Sequence, residues 1–113
     1  MQVIFQSRDP EGAQLRTLAI RRVRSALRRL GWLVPRATVN LSDVNGPRGG
    51  IDKRCRVELT TGGTGTIVIT SVARDWRSAL HSALSRAGQA VLHNFKRSRK
   101  LQRSRQSELS QDS

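Results

Sequence analysis

The spacing of apolar positions changes several times along the chain, and each change marks an element. In Gln2 to Gln6, Val3 and Phe5 share one side with Ile4 between them, which predicts a short strand. Pro10 and Gly12 then interrupt it. From Glu11 to Leu30 the residues Leu15, Ala19, Val23, Ala26, Leu27 and Leu30 recur at three- and four-residue steps, the spacing of a helix with one apolar face. Gly31 stands where a helix C-cap would, and Pro35 bars continuation.

The middle of the chain reads as a meander. Arg36 to Asp43 (RATVNLSD) alternates Ala37, Val39 and Leu41 with polar residues. After the turn cluster Asn45-Gly46-Pro47-Arg48-Gly49-Gly50, Arg54 to Thr60 alternates Cys55, Val57 and Leu59 with Arg54, Arg56 and Glu58. Gly62-Gly63 makes the next turn, and the β-branched run Thr66 to Val72 supplies a further strand. From Arg74 to about Arg97 a stripe of Trp76, Ala79, Leu80, Ala83, Leu84, Ala87, Ala90, Val91 and Phe95 predicts a second helix, with Asp75 at the end where it suits the dipole. The expected fold is α+β in the order β-α-β-β-β-α, a four-stranded sheet with two helices packed on one face. Residues 1–100 form the expected domain. Residues 101–113 (LQRSRQSELSQDS) are too polar to offset their ordering entropy by burial and are expected to be a disordered tail.

Composition turns this outline toward a partner. The 21 Lys and Arg against 8 Asp and Glu give a formal charge of +13. Eighteen of the basic residues are Arg, whose planar fork pairs with phosphate and stacks on bases. A uniformly basic surface would account for the total alone, so clustering decides. Helix one carries no acid after Glu11. Arg21, Arg24 and Arg28 lie opposite its apolar stripe, with Arg22 and Arg29 along the flank. On helix two, Arg86, His93, Arg97 and Lys100 follow at steps of seven, four and three, with Lys96 beside them. A merely solvated helix face mixes signs; these do not, and phosphate binding is the better account. A secondary patch of Arg48, Lys53, Arg54 and Arg56 surrounds the Gly-rich hairpin tip.

Other chemistry finds little support. His81 and His93 are twelve residues apart on one helix, about three turns, and cannot share a metal or a proton relay. The lone Cys55 alternates inward and reads as an inert small hydrophobe. Asp43 and Asp52 flank the hairpin loop and are expected to balance Arg48 and Lys53. GPRGG lacks the lysine and following helix of a nucleotide-binding loop. No catalytic set, cofactor, structural zinc or small-molecule substrate is expected. No apolar run approaches the ~18 residues of a membrane span and no leader-like start is present, so a cytoplasmic protein is expected.

The element order, the strand RATVNLSDVNG, the block Asp52-Lys53-Arg54-Cys55-Arg56-Val57-Glu58-Leu59 and the helix opening Asp75-Trp76-Arg77-Ser78-Ala79-Leu80 together resemble the ribosome hibernation-promoting factor and ribosome-associated inhibitor family over residues 1 to 97. The resemblance implies a layout similar to a double-stranded RNA-binding domain. It implies a protein that occupies the mRNA and tRNA channel of the small ribosomal subunit and silences idle ribosomes under stress. By matching position it implies rRNA contacts from Arg22, Arg28, Arg29, Arg86, Lys96 and Arg97, with Lys100 continuing the row. The chain departs from the family in a longer loop from Asn45 to Ile51 and in a tail without the second domain by which long members pair ribosomes, so self-driven ribosome dimerisation is not expected; a monomer off the ribosome is. The alternative is a general binder of structured RNA or DNA without ribosome specificity.

Overall fold

The computed structural model describes the backbone of residues 1–44, 52–63 and 65–111, and their side chains as far as residue 97. In chain order the elements are β1 (Gln2–Ser7), α1 (Pro10–Ala13), α2 (Arg16–Ala26), a 3-10 turn (Arg28–Leu30), β2 (Arg36–Asp43), β3 (Lys53–Thr60), β4 (Thr66–Ala73) and α3 (Trp76–Gln111). The result is an α+β fold with one open, mixed four-stranded sheet and, among the described residues, three α-helices.

The sheet order is β1-β2-β3-β4. β1 runs parallel to β2, so the helices between them serve as the crossover that a parallel pair needs, and the other pairs are antiparallel. Register places Phe5 opposite Val39, Val39 opposite Val57, and Val57 opposite Ile69. Because strand side chains alternate, that row and its neighbours Ala37, Leu41, Cys55 and Leu59 face one way and form a single core with Ala19, Val23 and Leu27 of the first helical segment and Trp76 to Val91 of α3. Leu27, Leu41 and Leu59 are fully buried, each contributing about 1.5–3 kcal/mol of transfer free energy. α3 lies against β3 and β4, and α2 against β1 and α3.

The helix expected from Glu11 to Leu30 is broken into three pieces. Asp9 caps α1, its Oδ1 accepting from the amides of Glu11 (2.9 Å) and Gly12 (3.2 Å), with Pro10 in the first turn. Gly12 then passes so close to the strands that a Cβ on it would lie 2.5 Å from Ser7 Oγ, and Ser7 in turn donates to the Leu41 carbonyl at 2.9 Å. The chain turns at Gln14 and Leu15 before α2 starts. At the far end Leu27 leaves helical geometry with φ −107° and ψ 15°, and the chain tightens into the 3-10 turn. Apolar spacing of three and four persists through both breaks; at the second it fits either helix, since a 3-10 segment repeats every three residues and an α-helix every 3.6, so the pattern hides the change. Ala26, placed on the apolar stripe by spacing, is exposed.

α3 also corrects its expected length. Its start is capped by Asp75, which accepts from the Ser78 amide and hydroxyl, both at 3.0 Å; these bonds hold the Asp75 carboxyl below its ordinary pKa. Its backbone stays helical to Gln111, through the segment expected to be disordered. No glycine or proline follows Gly88, so no stop signal intervenes, and the Arg, Lys, Gln, Leu and Glu of that stretch are good helix formers. Polarity removed the reason for burial, not the local preference for helix.

Burial pushes the Cys55 thiol up to about 12. The unfolded thiol ionises near its ordinary value of about 8.5, so the stability that neutral Cys55 contributes is fully present below that pH and falls by about 1.4 kcal/mol per unit as pH rises toward 12. Urea unfolding measured at rising alkaline pH should show this slope, and Cys55→Ala should reduce it. At pH 8 the native thiol should resist alkylation until the protein unfolds; rapid labelling of folded protein would contradict its burial.

Candidate nucleic-acid interface

The basic residues of the helical layer face outward because the inward positions are filled. On α2, Ala19 and Val23 are buried while Arg21, Arg22 and Arg24 are exposed. Arg28 and Arg29 are also exposed, but on the 3-10 turn; the continuous row of Arg21, Arg24 and Arg28 expected on one helix is therefore interrupted. Arg24 reaches back to the Met1 carbonyl (3.4 Å). On α3, which packs against the 3-10 turn, Lys96 and Arg97 are exposed and directly follow Phe95. A groove of about 330 Å³ runs between α2 and α3, lined by Arg22, Ser25, Ala26, His81, Leu84 and Ser85. His81, too far from His93 to share a metal or a proton relay, shares this groove with Arg22; only the packing of the two helices reveals it.

Arg86 does something else. Its Nη1 donates to the Thr70 carbonyl at 3.1 Å and to Ser71 Oγ at 3.3 Å, while Ser71 also meets Ser82 of α3 at 3.2 Å. β4 ends the sheet, and an end strand offers backbone groups to any passing strand. Arg86 occupies one of them and ties α3 to that edge. Its place on the helix suggested a phosphate contact; its partner on β4 is invisible in a helical projection.

The secondary patch divides as well. Lys53 Nζ lies 2.7 Å from Asp43 Oδ2, 3.9 Å from Asp52 Oδ1 and 5.1 Å from the centre of the Trp76 ring, with only 17% of its side chain exposed. Its hydrogen bond to Asp43 raises its pKa above the ordinary lysine value. The balancing of Asp43 and Asp52 expected from sequence is thus made by Lys53, which is a structural cation and no longer a free phosphate ligand. Arg54 donates through Nε to Ser42 Oγ at 3.1 Å, and Arg56 approaches Glu58 at 3.9 Å. Both stand on the sheet face opposite the buried Cys55 and Val57 row, so they cannot join the helical surface in one contact. Arg48 lies outside the described residues, as does the side chain of Lys100.

The acids are unevenly placed. Glu11 and Asp75 line a cleft with Trp76 and Arg77, and Asp43 and Asp52 gather on Lys53 beside the same ring. The sequence has no acid between Glu11 and Asp43 or between Asp75 and Glu108. Those two acid-free runs supply the outer surface of α2, the 3-10 turn and α3 as far as Arg97. Trp32 stands in the first of these runs, 72% exposed, an outlier that periodicity passed over because it follows the helix terminus.

Among the described residues no group of three or more His, Cys, Asp or Glu side chains could hold a metal ion, and no helix is long and apolar enough to cross a membrane. The fold and surface define an α+β domain whose α2, 3-10 turn and α3 expose mainly cations, with exposed Glu11 on α1 and Asp75 at the start of α3. Compared with known proteins, the chain matches no family model and no curated sequence.

Arg86→Ala should lower stability in urea by about 1 kcal/mol, the net worth of a lost side-chain to backbone hydrogen bond. Arg97→Ala, at an exposed position, should stay within about 0.5 kcal/mol of the parent. Equal, silent behaviour of both would show that the strand contact of Arg86 adds nothing.

Proposed function

We propose that this protein is a ribosome-associated translation inhibitor that binds the small ribosomal subunit in the mRNA and tRNA channel and silences idle ribosomes. The observation that carries the reading is the guanidinium-rich outer surface of α2, the 3-10 turn and α3 as far as Arg97, stretches with no acid in their sequence. Phosphates can be met there by Arg22, Arg28 and Arg29 on one side and Lys96 and Arg97 on the other, set on rigid elements that lose little freedom on binding. The resemblance in sequence to hibernation factors supplies the ribosome as the particular polyanion. Beyond β1, helical segments followed by three antiparallel strands and α3 support the expected likeness to a double-stranded RNA-binding domain, a layout suited to reading RNA by shape and phosphate position. Inhibition would be by occlusion: a bound domain in the channel excludes messenger and transfer RNA, and no chemical step is required.

Arg86 belongs to this interface only in part. Its guanidinium is exposed but already directed at β4, so the phosphate contacts fall mainly to the remaining five residues.

Two measurements test the reading. If about six phosphates are neutralised, log K for purified small subunits should fall against log salt with a slope of about −4. Replacing Arg28, Arg29, Lys96 and Arg97 together by Glu should remove the protein from the small-subunit fraction of a sucrose gradient while circular dichroism stays native. A slope near zero, or a folded quadruple variant that still co-sediments, would refute the helical surface as the binding element. Tight binding to naked duplex RNA without ribosome association would instead favour a general structured-RNA binder.

A further inference from the structure

Trp32 is the most exposed large apolar side chain among the described residues, at 72%, in a chain whose other tryptophan, Trp76, is 5% exposed. An indole left in water forgoes the burial that makes tryptophan stabilising, so its position asks for a partner. The ring is not loose. It meets Phe95 of α3 edge-to-face, with centroids 5.3 Å apart and planes at 86°. Its backbone sits in a turn fixed by Leu33 N–H donating to the Leu30 carbonyl (2.9 Å) and Val34 N–H to the Gly31 carbonyl (3.3 Å). Leu92, one helical turn before Phe95, is 41% exposed and extends the apolar surface.

The surroundings of this platform are cationic. Arg28 and Arg29 lie just ahead of Trp32 on the 3-10 turn, Lys96 directly follows Phe95, and all three are exposed. No acid falls within either stretch of sequence that builds this corner. Two copies of such a corner would bring like charges together, which disfavours self-association through it. A flat aromatic face rimmed by guanidinium and ammonium groups matches a nucleotide, with the base on the ring and the neighbouring phosphates on the cations. Bases inside a duplex are already stacked and offer no face to an exposed ring, so the match is to an unpaired base.

We propose that Trp32, held by Phe95, stacks an unpaired nucleobase of the RNA bound on the helical surface. The site then takes RNA that presents a single-stranded nucleotide beside the phosphates gripped by Arg28, Arg29 and Lys96. This rests on the RNA-binding reading given above and adds a preference that charge alone does not provide.

The test compares an RNA hairpin bearing a single-stranded extension with the same stem lacking it, using fluorescence anisotropy at fixed salt and the full chain. Trp32→Ala should weaken binding to the extended RNA by about ten-fold, as loss of one base–aromatic stack does, and leave stem binding unchanged. Trp32→Phe should restore most of the loss. Circular dichroism and the urea midpoint of each variant establish that it is folded, which the exposure of Trp32 favours. If Trp32→Ala binds the extended RNA as the parent does, the stacking proposal is overturned while the cationic surface stands; if the parent binds neither RNA, the RNA-binding reading itself is overturned. A parent dimer in sedimentation that Trp32→Ala dissolves would assign the ring to a second copy instead. Loss of binding only to anionic phosphatidylserine vesicles, with RNA binding intact, would assign it to a membrane; either result overturns the proposal.

Discussion

Alanine at the contact points between layers is the constraint on which the remaining surface depends. Ala79, Ala83 and Ala87 follow at four-residue steps on α3, Ala19 on α2 and Ala37 on β2, and all five are fully buried. Side chains of one carbon let helix backbones come close to the sheet. Trp76, Leu80 and Leu84 fill the adjoining row of α3. Once those two rows face inward, positions 77, 93, 96 and 97 have only the outer surface of that helix left, and the basic residues there are presented as a consequence of packing.

The same packing gathers acids at one end. The start of α3, where the helix dipole favours anions, coincides with Asp75 and with the carboxylates gathered around Lys53 and Trp76. Arg74 and Arg77 are exposed there too, and Lys53 offsets Asp43 and Asp52, so these acids thin the positive charge locally without reversing it. The 3-10 turn and the described side chains of α3 beyond it have no acid among them, and that stretch holds the least compensated cations.

The elements were legible in sequence because side-chain period reports which face is buried. The alternations of Ala37-Val39-Leu41 and Cys55-Val57-Leu59 became the inward sheet rows, and Trp76 to Val91 became the buried stripe of α3. What sequence could not carry was anything fixed by a second element. The breaks around Gln14 and Leu27 leave apolar spacing intact and arise from how closely Gly12 approaches Ser7 and how Leu27 closes the helix. Arg86 looked like a free cation because Thr70, its partner, is separated from it in sequence; the balance of Lys53 against Asp43 and Asp52 was legible, but its place over the Trp76 ring was not. Trp32 escaped notice for a related reason: it lies beyond the periodic stretch, and its contact with Phe95 spans most of the chain.

Concentrating guanidinium groups on one surface has opposite consequences for folding and for binding. In the free protein, like charges on α2, the 3-10 turn and α3 repel, and added salt relieves that repulsion by screening it. In the proposed complex the same groups displace counterions from phosphates, and added salt weakens the attraction. Ions that help the domain hold its shape thus hinder its docking. A ligand that binds only the folded state stabilises it by mass action, and here it would also neutralise the repulsion within that state. Sheet and core set a fold that tolerates the charged surface, and a polyanionic partner would be what that surface lacks when the protein is alone.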